Sequence, residues 1–422
     1  MRKGPPRRYL PEPLAAGRKV RRTAAHAQPE ALKSSGDPQL AEALGEALAA
    51  HGEFDRATQR FHSYPARLHP DAGKRILEAL PGKSLLDPFC GGGTTLVEGL
   101  LDGRRVEGSD LSPIAVLVSH ARTRVLDEAE RQALRRSFET VEREAKAILD
   151  SPYRPFTPPA VLKLAGWYSR SALLELSALL ESLQRQPEPH RALLRAVHSS
   201  LLVKYSTRAS ETSNKVVQRE VREGVLLRAF HDKASEYLQM LASLAKAVPV
   251  GTGSAQVSQR DARELGPGPE GQQVESASNA VTEGFELALT SPPYPATYDY
   301  LRLQQLRLAW LTESVDALLP QEIGSRSNFA KSDNGMQQWK RDTTRWMAGV
   351  QSRLVEGGHL VVVVGDGIVG GKLLRAGDAS REIAKRLGLR LRASATVLRR
   401  DLGVKKTKAE FIFAFVKEKP AD

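Results

Sequence analysis

Residues 83–101 read KSLLDPFCGGGTTLVEGLL, and this stretch decides the fold. The apolar run KSLLD predicts a short buried strand over 83–87 that ends in an acid, Asp87. Pro88 and three consecutive glycines then force a turn, and TTLVEGLL predicts a helix over 94–101. Strand, glycine-rich turn and helix together open a Rossmann-like unit. RVEGSD repeats the pattern as a strand over 105–110 ending in Asp110, followed by a helix over 113–120.

Glycines let a backbone approach a ligand closely, and the helix start offers N–H groups without partners. Two acids at neighbouring strand ends, Asp87 and Asp110, suit ribose hydroxyls or a cationic amino-acid group better than a phosphate. Gly82-Lys83-Ser84 looks like the end of a phosphate-binding P-loop, but the glycine required at position 77 is Leu77. The third glycine of a dinucleotide fingerprint falls on Leu96.

Working outward, helical spacing predicts helices over 38–50 and 71–80 before the first strand. After the second strand the alternation stops, because residues 122–250 carry helical periodicity at 127–149, 169–183, 190–205 and 231–247, with no convincing strand. Strands resume at 255–259, 285–289 and 359–364, the last an apolar run (HLVVVV) suited to a sheet buried on both faces. A helix over 380–387 leads to strands 390–398 and 409–416, which read as an antiparallel hairpin. The fold class is therefore α/β, a mostly parallel seven-stranded Rossmann-like sheet with an antiparallel terminal hairpin and a helical insertion. Four segments follow: a basic flexible tail (1–35), a first α/β part (36–121), the helical insertion (122–250) and a second α/β part (251–422).

The second chemical motif is Thr290-Ser291-Pro292-Pro293-Tyr294, directly after the strand FELAL. Two prolines stiffen the chain and donate no hydrogen bonds, so the Ser291 hydroxyl and the Pro292 carbonyl become fixed acceptors at a strand end. Such a pair suits an NH2 group: accepting both of its N–H bonds aims the nitrogen lone pair at an electrophile. Tyr294 offers an aromatic face on which a base can stack. A proline turn that merely caps a strand is the alternative for the pentapeptide alone.

Together the two motifs resemble the S-adenosylmethionine-dependent amino-methyltransferases that modify DNA. DPFCGGGTT is similar to their F-x-G-x-G cofactor loop through Phe89, Gly91 and Gly93, and TSPPY is similar to their catalytic motif. The resemblance spans 61–120 and 255–417 and implies a class I methyltransferase fold. It implies S-adenosylmethionine as cofactor, held by Tyr64 of FHSYPAR, Asp87, Phe89, Gly91, Gly93, Thr94, Asp110 with Leu111, and Asp261 with Ala262. It implies Ser291, Pro292, Pro293 and Tyr294 as the catalytic group, and a serine in the first position resembles the cytosine-N4 subgroup more than the adenine-N6 enzymes. Adenine-N6 methylation of DNA, guanine-N2 or adenine-N6 methylation of RNA, and a non-catalytic nucleic-acid binder on the same fold are the alternatives. Two departures stand out: the cofactor loop precedes the catalytic motif, and the long insertion lies between the second and third strands.

Charge supports a polyanionic partner, and the resemblance implies DNA first, with RNA as the alternative. The 422 residues carry 62 Lys+Arg against 49 Asp+Glu, formally +13. Residues 1–22 contribute eight of these cations against Glu12 alone, either as an arm on phosphates or as a solubilising terminus. In the insertion Arg208, Lys215 and Arg219, and between the last two strands Arg399, Arg400, Lys405 and Lys406, are the expected phosphate contacts. A cognate restriction endonuclease is a further expected partner, and the recognition sequence and oligomeric state are not legible. The single cysteine, Cys90, excludes an internal disulfide and, without a Pro-Cys pair, the covalent route to cytosine C5. No metal is expected, no apolar stretch is long enough for a bilayer, and a cytoplasmic protein is the resulting expectation.

Overall fold

A computed structural model describes residues 32–418 apart from 53, 66, 211–212, 267–283, 312–313, 330–333 and 401–406. Its strands are β1 (Leu32–Gly36), β2 (Ser84–Asp87), β3 (Arg105–Asp110), β4 (Arg208–Ser210), β5 (Ser213–Val216), β6 (Gln256–Gln259), β7 (Phe285–Thr290), β8 (Leu354–Gly365), β9 (Gly367–Val369), β10 (Lys372–Leu374), β11 (Leu389–Arg400) and β12 (Thr407–Lys417). Eight of them form one sheet in the order β1-β11-β12-β8-β7-β2-β3-β6. Strands β6, β3, β2, β7 and β8 pair in parallel. β12 is antiparallel to both β8 and β11, so β11 points the same way as those five. This is the mostly parallel α/β sheet read from the sequence, ending in the expected hairpin.

After the edge strand β1, the chain enters mid-sheet at β2, builds outward through β3 to β6, then returns to the other side of β2 with β7 and β8. The order reverses between β2 and β7, and in open α/β sheets the crevice at that reversal, beyond the carboxyl ends of the strands, takes the ligand. The two motifs leave those two ends. The apolar run of β8 explains its central place: Val361 and Val363 enter the core on one face, and Leu360, Val362 and Val364 enter the core on the other.

The sheet has one strand more than the seven expected. β1 lies in the last residues assigned to the tail and pairs antiparallel with the edge of β11, from Leu32 opposite Val397 to Gly36 opposite Ala393. LKSSG is exposed along its whole length, so its stabilising feature is backbone pairing, which leaves no apolar alternation to read. Residues 1–31 lie outside the described part.

The insertion holds the helices Glu128–Leu149, Arg170–Gln184, His190–Leu202 and Val225–Ala247 around a core of its own, with Phe138, Val141, Leu176, Leu180, Phe230 and Tyr237 inside. It also holds a short antiparallel ribbon, β4 with β5, where no strand was expected. Three or four residues per strand fall below what a periodicity argument can detect. Phe61 joins this core to the α/β part: its ring stacks on Tyr237 at 4.1 Å, and the Tyr237 hydroxyl donates to the Ala121 carbonyl at 2.7 Å. Among the described residues no helix is long and apolar enough to cross a membrane.

Candidate active site

Asp87 ends β2 fully buried, and its carboxylate is occupied by the protein itself. The Thr95 hydroxyl, the Thr290 hydroxyl at 2.7 Å and the Phe89 amide at 3.1 Å all donate to it. Burial pushes this carboxyl up to about 6 against the pull of those donors. One side chain thus ties the glycine loop, the helix Thr94–Leu101 and the strand carrying TSPPY into a unit. Gly93 starts that helix with φ 76°, a conformation open to glycine and strained for other residues.

The loop is held from the other side by residues that sequence reasoning did not single out. Arg122 is fully buried and fans its guanidinium over three carbonyls, those of Phe61 at 2.7 Å, His62 at 2.6 Å and Gly92 at 2.6 Å. The Ser119 hydroxyl donates to the Gly91 carbonyl at 2.7 Å. Both project from the helix Pro113–Arg122, so the segment FHSYP, the glycine loop and this helix form one frame.

A pocket opens where these pieces meet. Tyr64, Phe89, Gly91, Asp110, Leu111, Asp261 and Ala262, the residues expected at a cofactor, line it, together with Ser291 and Pro293 of the second motif. Asp87, Gly93, Thr94, Pro292 and Tyr294, also expected at the site, are not among the lining residues. Each Asp110 oxygen accepts one backbone amide at 2.9 Å, from Gly91 and from Ser112, so its direction is fixed while lone pairs remain for a ligand. Burial lifts Asp110 to about 6. Asp261 caps the turn after β6 through the Arg263 amide at 2.9 Å, and its charge is matched by the Arg263 guanidinium, which also reaches Asp342 at 3.1 Å.

Tyr294 is anchored away from the pocket. Its hydroxyl donates to Glu410 on β12 at 2.6 Å, and its ring lies so close to Gly365 at the end of β8 that a Cβ there would stand 2.7 Å from it. The ring's orientation is therefore set by two neighbouring strands. Ala296 follows with φ 51°, its amide donating to the Gly324 carbonyl at 2.8 Å, which straps the loop after TSPPY to residues 319–327.

No family model matches the chain. Over 128 residues it is 29% identical to a Type II methyltransferase, M.MvaI, of Kocuria varians, a match covering 29% of this chain and 28% of that protein. The chain thus spans under a third of the curated relative it matches. Among solved structures, TrmN from Thermus thermophilus superposes with TM-score 0.29 and 11% identity over 82% of this chain and 48% of that one. An rRNA methyltransferase, AviRa, from Streptomyces viridochromogenes gives TM-score 0.35 and 12% identity over 84% and 88%.

The basic residues expected at a nucleic acid divide. Arg208 is buried, its guanidinium donating to the Leu303 carbonyl at 3.2 Å, which removes it from any surface. Arg219 spends its guanidinium on the carbonyls of Lys204 and Ser206, the latter at 2.5 Å. Lys215 is exposed. Arg399 and Arg400 end β11, while Lys405 and Lys406 fall outside the described residues. Sequence reasoning also passed over Ser112, Leu301, Gln321, Glu322 and Ile323 in the pocket wall, and gave Tyr300 no role. The run 318–324 has neither periodicity nor a glycine pattern, so nothing in the chain marks it as part of a site.

Proposed function

We propose that this chain is an S-adenosylmethionine-dependent methyltransferase that methylates an exocyclic amine of a base in DNA, with cytosine N4 as the acceptor. The observation that carries the reading is the pocket at the sheet's reversal point, which joins the glycine loop and Asp110 to Ser291 and Pro293. The partial likeness to a Type II methyltransferase supports it. The residues fit the cofactor: the pocket offers carboxylates to a cation and an aromatic wall in Tyr64 and Phe89. When bound, the cofactor supplies an activated methyl on a cationic sulfur. Asp110 and the Gly91 backbone would hold its nucleoside, and Tyr64 would close over it.

On the acceptor side the Ser291 hydroxyl and the Pro292 carbonyl would take the two N–H bonds of the base amine and direct its lone pair into the pocket. Tyr294, fixed by Glu410, would be the stacking platform for a base turned out of the duplex. The test is to sequence DNA from cells expressing the protein by a method that separates N4-methylcytosine from N6-methyladenine, beside a Ser291→Ala control. A motif-specific N4 mark that disappears in the control is expected. An N6 mark would overturn the acceptor. Absence of any mark from DNA, with methyl transfer to RNA, would overturn the substrate class.

A further inference from the structure

The hairpin of β9 and β10 directly follows the central strand β8 and belongs to neither motif. Its register sets Val369 opposite Lys372, Ile368 opposite Leu373 and Gly367 opposite Leu374, so Val369 and Leu374 share one face and Ile368 and Leu373 the other. The first face is accounted for, because Val369 and Leu374 are buried in the core that also takes Leu360, Val362 and Val364 of β8. The second is not. A strand pair with one buried face ordinarily turns polar residues to water, yet here Leu373 is 48% exposed and its cross-strand neighbour Ile368 is half-buried. A lone exposed leucine needs no reason, but an apolar cross-strand pair on a fixed support does.

The support is fixed at its tip, its stem and its back. Gly370 and Gly371 form the tip with φ 55° and 76°, the two-residue turn whose twist matches a hairpin. Asp366 closes the stem: its carboxylate accepts the Ala376 amide at 2.9 Å, and its own amide donates to the Ala409 carbonyl at 2.9 Å. Behind, Gly367 lies so close to Pro295 that a Cβ there would collide with the Pro295 carbonyl, and Gly365 backs the Tyr294 ring. The hairpin is thus built against the loop that carries TSPPY. Lys372 and Arg375, on either side of Leu373 in the chain, are exposed, and Arg375 reaches Asp378 only at 3.9 Å.

A face that abuts the acceptor loop is fitted to the molecule that delivers the acceptor. Turning a base out of a duplex breaks the stack, and apolar side chains such as Leu and Ile enter between base steps to open or fill such a break. Cations beside the wedge suit the phosphates that flank the step. We propose that β9 and β10 form a wedge in which Leu373, backed by Ile368, enters the duplex beside the base that is turned out, with Lys372 and Arg375 on the neighbouring phosphates. This rests on the base-methylation reading given above, and it makes Leu373 a positioning residue, since it acts on the stack and touches neither the cofactor nor the reacting amine.

The test compares full-length wild type and Leu373→Ala on two duplexes, one carrying the motif that the wild type marks in cells and one with the marked base of that motif mismatched. A mismatched base is cheaper to unstack and so depends less on a wedge. Leu373→Ala should lose roughly 10- to 100-fold in kcat/KM on the matched duplex, where opening the step goes unassisted. It should recover most of that loss on the mismatched duplex, and its affinity for S-adenosylhomocysteine should equal that of the wild type. Leu373→Met, which keeps an apolar side chain of similar length, should retain the matched-duplex rate. The proposal is overturned if Leu373→Ala loses equally on both duplexes, the signature of a purely structural role, if it loses on neither, or if Leu373→Met is as poor as Leu373→Ala. A wild type that marks no DNA would instead overturn the substrate reading, and this inference with it.

Discussion

Ser291 and Tyr294 take their directions from different sources. Ser291 faces the pocket because two prolines follow a buried strand, whereas Tyr294 is held by Glu410 and by the flat back of Gly365. Ser291→Ala should therefore lower turnover by roughly 10²-fold while leaving the dissociation constant of S-adenosylhomocysteine nearly unchanged, read by single-turnover kinetics beside calorimetry. Equal losses in both would remove the residue from its role. Gly365→Ala tests the platform: a Cβ 2.7 Å from the Tyr294 ring forces that ring aside. Overpacking of this kind costs about 1–3 kcal/mol. The expected result is a raised KM for nucleic acid with cofactor affinity retained.

At the scale of elements, the joint between β2 and β7 is Asp87. Its carboxyl titrates at about 6 in the fold against 3.8 ordinarily, because burial outweighs its three donors. The folded chain thus binds that proton more tightly than the unfolded chain does. The stabilisation is complete below about pH 3.8 and is lost as pH rises through about 6, a change of about 3 kcal/mol over the whole window. Asp87→Asn cannot titrate, so its stability relative to wild type, from urea unfolding between pH 4 and 7.5, should improve as pH rises to about 6 and level off above it. A constant difference would show that Asp87 keeps an ordinary carboxyl. The glycine loop and the TSPPY strand were both legible as elements, since each pairs an apolar run with an abrupt turn. Their coupling through one carboxylate was not, because the Thr95 and Thr290 hydroxyls that meet there come from separate parts of the chain.

For the whole molecule, the insertion and the α/β part meet at Phe61, fully buried against Tyr237. Phe61→Ala should cost about 3–5 kcal/mol, measured as a lowered urea midpoint. The residue also neighbours the segment that Arg122 clamps to the glycine loop, so cofactor affinity should fall with it. An unchanged affinity would separate the insertion from the site. The sequence by itself determined the α/β alternation and the chemical character of the two loops, because periodicity and turn residues act over a few neighbouring positions, whereas the strand order that sets those loops side by side came from the sheet. Only the tertiary structure decided that Arg208 is a buried strut, that β1 extends the sheet, and that Glu322 enters the pocket wall. Those outcomes depend on which distant backbone groups a side chain or an edge strand meets, and a contact between remote segments leaves no local pattern in either one.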